Sequence, residues 1–117
     1  MEPIALVHDY MPERVFHQVY IDPFSGKSLI MQTALIDGEV AEVIGTMSTL
    51  GATETMKQWF WQQFQRECQE RGVKRIIGKM PRHLYQHYHT AYGMDEIATE
   101  NDPITGVLVV AERQMGG

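Results

Sequence analysis

The chain has 117 residues and a mass of 13.4 kDa, which is one domain's worth near the commonest size of roughly 100–150 residues. Its 44% hydrophobic and 21% charged content is that of an ordinary soluble globular protein, and no apolar run approaches the roughly 20 residues that span a bilayer. A net charge of −5 disfavours non-specific nucleic-acid binding. The single cysteine, Cys68, excludes an internal disulfide, and with no secretory signal at the N-terminus a cytoplasmic location is the default expectation.

The first 27 residues are the least determined. Residues 4–7 read as a short strand, residues 12–21 as a helix opened by Pro12, and PFSG at 23–26 as a turn. SLIMQTALI at 28–36 and EVAEVIGTMS at 39–48 are strand-like, and the DG between them at 37–38 predicts a hairpin, because tight hairpin turns need positive φ. From Thr53 or Glu54 the period changes. Met56, Phe60, Phe64 and Cys68 recur every four residues, which predicts a helix capped by Thr53 and closed by Gly72. A short strand follows within residues 73–80. Pro81 then opens a second helix with Leu84, Tyr88, Ala91 and Tyr92 on its apolar face, ended by Gly93. A strand, a turn at 101–103 and a last strand over 105–111 complete a core of 28–112, and 113–117 is expected to be a loose tail. The order is an undetermined start followed by ββαβαββ. It predicts a single mixed α/β (α+β) domain over 1–117, with two principal helices packed on a mainly antiparallel sheet.

Several residues carry candidate chemistry. The STLGAT turn at 48–53 places Gly51, Ala52 and Thr53 where a strand enters a helix, and unpaired amides at a helix start bind anions such as phosphate. Six of the ten basic residues, Arg66, Arg71, Lys74, Arg75, Lys79 and Arg82, crowd one short window. They form either a solvated helix end and loop or a local patch for an anionic ligand. His83 and His87 are one helical turn apart, but no carboxylate or cysteine is placed to complete a metal site, and none is expected. SGKS at 25–28 copies the tail of a phosphate loop but lacks its upstream glycine and following helix. Cys68 continues the Phe64 stripe and belongs to the core. Trp59 and Trp61 project about 200° apart on a helix, so one of them faces solvent, a cleft or a partner, including a second copy of the chain.

The layout, together with the STLGAT turn after EVAEVIGTM and the YHTAYGM run at 88–94, resembles the GNAT superfamily of N-acetyltransferases. The resemblance covers roughly residues 28–112. It implies a GNAT-like fold and acetyl-CoA as cofactor, with the pyrophosphate on Gly51, Ala52 and Thr53. It also implies transfer of an acyl group to an amine acceptor. His89 stands at the position matching the tyrosine that in many members acts as acid toward the leaving thiolate. The chain departs from the pattern at Ser48, where the family has Gln or Arg, and at Thr53, where it has Gly or Ala. A similarly reduced pattern occurs in GNAT-like internal-core virion proteins of short-tailed phages, which implies the alternative of a non-catalytic protein that binds a protein partner.

Overall fold

The computed structural model describes residues 4–10, 15–21, 29–49 and 51–115. In chain order the elements are β1 (Ile4–Tyr10), β2 (Val15–Ile21), β3 (Leu29–Asp37), β4 (Val40–Ser48), α1 (Glu54–Glu70), β5 (Arg75–Pro81), α2 (Arg82–Tyr92), β6 (Asp95–Asp102) and β7 (Gly106–Gln114). The strands make one sheet in the order β1-β2-β3-β4-β5-β7-β6. Every neighbouring pair is antiparallel except β4 and β5.

The start of the chain corrects one expectation. Residues 15–21 form a strand and not a helix, and they pair with β3 from Val15↔Leu35 to Ile21↔Leu29. Val15, His17, Val19 and Ile21 share one half-buried face while Gln18 is buried on the other; this is the period of two that a sheet requires. Pro12, the turn at 23–26 and the SGKS run lie outside the described residues, apart from the short strand at 4–7, which is part of β1.

The hairpin after β3 forms, with its turn one residue later than expected. Asp37 pairs with Val40, so Gly38 and Glu39 are the loop, and Gly38 supplies the positive φ of 60°. The turn before β7 is likewise shifted, to residues 103–105. The expected loose tail is also corrected. Arg113 and Gln114 belong to β7. Met115 is buried in the core, and its amide donates to the Lys74 carbonyl at 2.9 Å.

Both helices cover the same face of the sheet. On β3, Ile30, Ala34 and Ile36 alternate inward and meet Phe60, Phe64 and Cys68 of α1, together with Ala41 and Ile76. Each large side chain buried here contributes about 1.5–3 kcal/mol. The α1 start is capped as the sequence predicts, with Thr53 Oγ1 accepting from the Met56 amide at 3.2 Å. Gly93, at φ 68°, closes α2 in the left-handed conformation, which glycine adopts without steric cost. No described helix is long and apolar enough to cross a membrane.

Candidate functional site

A cleft opens where the two parallel strands part. β4 and β5 pair only from Val40↔Arg75 to Glu42↔Ile77. Immediately beyond, the β3–β4 register slips between Thr33↔Gly45 and Ala34↔Val43, which leaves Ile44 as an extra residue. Such a bulge bends its strand and increases the local twist, so β4 swings away from β5. From there to Ser48 the edge of β4 that faces β5 has no strand partner among the described residues, and its backbone donors and acceptors open onto the gap. At about 3.3 Å per residue, the six steps from Glu42 to Ser48 give it a depth of about 20 Å.

The cleft has a volume of about 510 Å³. Its strand walls are Val43, Gly45, Thr46 and Ser48 of β4 facing Gly78, Lys79 and Met80 of β5. Ile30 and Gln32 of β3 contribute from behind β4, Lys57, Phe60 and Trp61 come from α1, and Leu84, His87, Tyr88 and Tyr92 come from α2. Ser48, Pro81 and the start of α1 mark the mouth. The inner end lies near Gly78, against which the Met94 side chain packs.

The three residues expected to hold a cofactor lie in the turn at the mouth, and none of them lines the cleft itself. Gly51 is exposed. The Ala52 amide donates to the Thr49 carbonyl at 3.1 Å, so the turn itself consumes the donor that the sequence assigned to a phosphate. The Thr53 hydroxyl accepts from Met56 as the cap. The amides of Glu54 and Thr55, at the first two helical positions, have no intrahelical acceptor and are the donors this turn presents. Glu54 also brings a carboxylate to the same place, 3.8 Å from Lys57 Nζ and 3.8 Å from His87 Nε2.

His89 is not in the cleft. It lies 100° around α2 from Tyr88, and its Nδ1 is 2.8 Å from the Met94 carbonyl and 3.5 Å from Asp95. Helical spacing instead sends Leu84, Tyr88 and Tyr92 inward, the stripe already visible in the sequence. Tyr92 packs on Trp61 with ring centroids 5.7 Å apart and on Tyr88 at 5.2 Å. Burial, reinforced by the Glu54 charge, raises the Tyr88 phenol above its ordinary value and pushes that of Tyr92 up to about 12. Both are therefore protonated hydrogen-bond donors at neutral pH.

The basic cluster does not converge on the cleft. Lys74 pairs with Glu39, Arg82 with Glu96, and Lys79 with both Glu42 and Glu100. Arg75 Nε donates to the buried Glu112 at 2.6 Å. Only Lys79 of the cluster reaches the lining, where Lys57 joins it. Lys57 carried no signal in the sequence beyond its place in the first turns of α1. Of the two tryptophans, Trp61 faces the cleft and stacks on Phe64, while Trp59 packs beside Ile30 and Phe60. The aromatic surface expected on α1 is thus turned mostly inward. Burial raises the Cys68 thiol to about 12, so it is not a nucleophile. Among the described residues, no three His, Cys, Asp or Glu side chains gather to hold a metal.

No protein-family model matches the chain, and no curated protein sequence matches it significantly. Its fold is nevertheless shared with solved structures. A Bacillus subtilis acetyltransferase in complex with CoA superposes with a TM-score of 0.70 at 8% identity, over 97% of this chain and 99% of that one. A Klebsiella pneumoniae protein whose proposed activity is that of an acyl-CoA N-acyltransferase gives 0.72 at 10% identity, over 91% of this chain and 76% of that one. A ribosomal-protein-alanine N-acetyltransferase from Brucella melitensis gives 0.59 at 12% identity, over 85% and 69%. Identities this low establish the architecture alone: the chain is a single GNAT-fold domain with a mixed, mainly antiparallel sheet and two helices.

Proposed function

We propose that the protein binds an acyl-CoA and transfers its acyl group to an amine. The observation that carries this is the open cleft between β4 and β5, with the start of α1 at its mouth and no described side chain closing it. A coenzyme laid along it sets its pyrophosphate at the Glu54 and Thr55 amides and the Lys57 ammonium, where the helix-start dipole favours an anion and Lys57 offsets the Glu54 carboxylate. The arm then follows the unpaired edge of β4 inward, and the thioester reaches the inner end beside Gly78, Trp61 and Tyr92. The CoA found in the Bacillus subtilis neighbour supports this choice of ligand.

The chemistry needs little from the protein beyond positioning. The amine nitrogen attacks the thioester carbonyl carbon, the C–N bond forms, the C–S bond breaks and the sulfur leaves as a thiolate. The amine's proton passes to solvent. Tyr92, with Tyr88 behind it, takes the role that the family resemblance implied for His89. A phenol with a pKa near 12 is a poor outright proton donor at neutral pH but a good hydrogen-bond donor to a departing thiolate. The described residues lining the cleft include no carboxylate, so the acceptor enters as a free amine. The non-catalytic alternative rests on the motif departures at Ser48 and Thr53, and the open cleft weighs against it.

Titration calorimetry with acetyl-CoA tests the reading. Wild type is expected to bind in the micromolar range, and Gly51→Asp, which puts a carboxylate into the mouth, is expected to bind at least tenfold more weakly by charge repulsion alone. No binding to wild type at millimolar coenzyme overturns the proposal.

A further inference from the structure

We propose that the acceptor is a primary amine on an apolar chain, and that the chain lies on the helix-free face of the sheet while the nitrogen enters the gap between β4 and β5. This rests on the acyl-CoA reading of the cleft. Both helices and the three apolar clusters beneath them occupy the other face. Alternation along β2 and β3 turns Val19, Ile21, Leu29 and Met31 away from the helices. Met47, Met31 and Val19 form one row across three strands, and Leu29 and Ile21 form the next. None of these five belongs to a core cluster, Met47 is 47% exposed, and no described element covers them.

The gap opens onto this face beside the patch. Gly45 is opposite Thr33, two residues before Met47, and a Cβ there would meet only the Thr33 side chain, at 4.0 Å. With glycine in place, the β4 rim of the gap carries no side chain on the helix-free side. Gly45 and Lys79, which both belong to that side, also line the cleft, and Lys79 follows Gly78, where the thioester is seated. Lys79 Nζ is 3.5 Å from Glu42 and 3.2 Å from Glu100. Two carboxylates thus share one ammonium at the rim, and the surplus negative charge draws a cationic amine. The amine loses its proton to solvent, its nitrogen attacks the thioester carbon, the C–N bond forms, and the C–S bond breaks to release the thiolate.

Size decides what the patch holds. At about 4.8 Å between strands and about 3.3 Å per residue, the five side chains cover about 14 by 13 Å, or roughly 200 Å². Val15 and Leu35 lie beyond the hydrogen-bonded His17–Thr33 pair, and including them raises the area only to about 330 Å². A stable protein interface takes about 800 Å² from each partner. On the β5 side the face turns to ion pairs, Lys79 with Glu42 and Glu100 and Arg75 with Glu112. The described patch is therefore too small for a second copy of the chain and matches the apolar chain of a small amphiphilic amine.

The test follows thiol release from acetyl-CoA with octylamine and with propylamine, amines of like basicity and different apolar length. Wild type is compared with the double variant Met31→Gln/Met47→Gln, and acetyl-CoA affinity is measured on both by calorimetry. Wild-type kcat/KM is expected to favour octylamine by about thirtyfold, the value for covering half of each added methylene. The double variant should cut that preference by about fivefold or more and leave coenzyme affinity unchanged, because neither methionine lines the cleft. Met47→Gln alone repeats the comparison if the double variant does not fold. Equal kcat/KM for the two amines on wild type overturns the proposal, as does a preference that survives the substitutions. A wild-type dimer in sedimentation that the double variant converts to monomer also overturns it, by making the face an interface between copies. Acetyl-CoA binding without transfer to either amine sinks this acceptor alone. Wild type that does not bind acetyl-CoA sinks the acyl-CoA reading with it.

Discussion

The two helices lie on one face of one sheet, yet they do different work. α1 runs for 17 residues and buries Phe60, Phe64 and Cys68 completely or nearly so, while α2 runs for 11 and fully buries none of its side chains. The inward stripe of α1 meets the apolar residues of β3 and closes on them. The inward stripe of α2, Leu84, Tyr88 and Tyr92, meets the gap between β4 and β5 and remains half covered. The contrast shows how one fold separates stability from chemistry. α1 packs over β3 and over the part of β4 and β5 that still pairs, so most of its inward side chains become core. α2 packs on β5 and β7 beside the gap, so the same kind of aromatic side chain becomes the wall of a site.

That contrast can be broken from either helix. The largest effect on stability is expected at Phe64→Ala, because the ring is fully buried; loss of about 3–5 kcal/mol in urea unfolding is the usual range for such a truncation. A loss below about 1 kcal/mol would show that α1 is not the scaffold. Tyr92→Phe tests the other helix. It should leave urea stability at neutral pH nearly unchanged and lower acyl transfer roughly a hundredfold, the scale of one positioned acid–base group. Unchanged turnover would remove Tyr92 from the reaction.

The same substitution has a pH signature. The folded-state pKa of Tyr92, about 12, lies above the ordinary value near 10. The protonated phenol's contribution is therefore fully present below pH 10 and is lost as pH rises toward 12. Wild-type stability should fall across that window more steeply than that of Tyr92→Phe. Parallel curves would contradict the burial argument. The smallest effect concerns how α2 ends. Gly93→Ala places a Cβ at φ 68° and 2.8 Å from Arg113 Nη1, and the left-handed strain alone costs about 1–2 kcal/mol. The arginine tip can move aside, so thermal unfolding should register little beyond that strain.

Much of the fold was legible because its signals are local. The four-residue spacing of Phe60, Phe64 and Cys68, the Thr53 cap, the left-handed Gly93 and the glycine hairpin after β3 each follow from backbone geometry over a few residues. Val15–Ile21 was misread as helix because its alternation is short and mixed, with His17 and Gln18 inside it, and only pairing with β3 decides the matter. The site was less legible. Alignment to a motif selected His89, whereas the helical stripe of Leu84, Tyr88 and Tyr92, equally present in the sequence, marks the tyrosines that face the cleft.

The sequence by itself therefore determined the order of elements from β3 onward, the buried stripe of α1 and the resemblance to the GNAT layout, because these depend on residue spacing and intrinsic conformational preference. Only the tertiary structure decided where β4 leaves β5, that the Ala52 amide is spent within its own turn, and that Lys74, Arg75 and Arg82 of the basic cluster are paired away from the cleft. Each of these depends on which distant segments lie side by side: a one-residue slip against β3 opens the cleft, and carboxylates from β3–β4 and β6–β7 claim the cations. Register and long-range pairing are properties of the assembled sheet, and no local pattern in the chain encodes them.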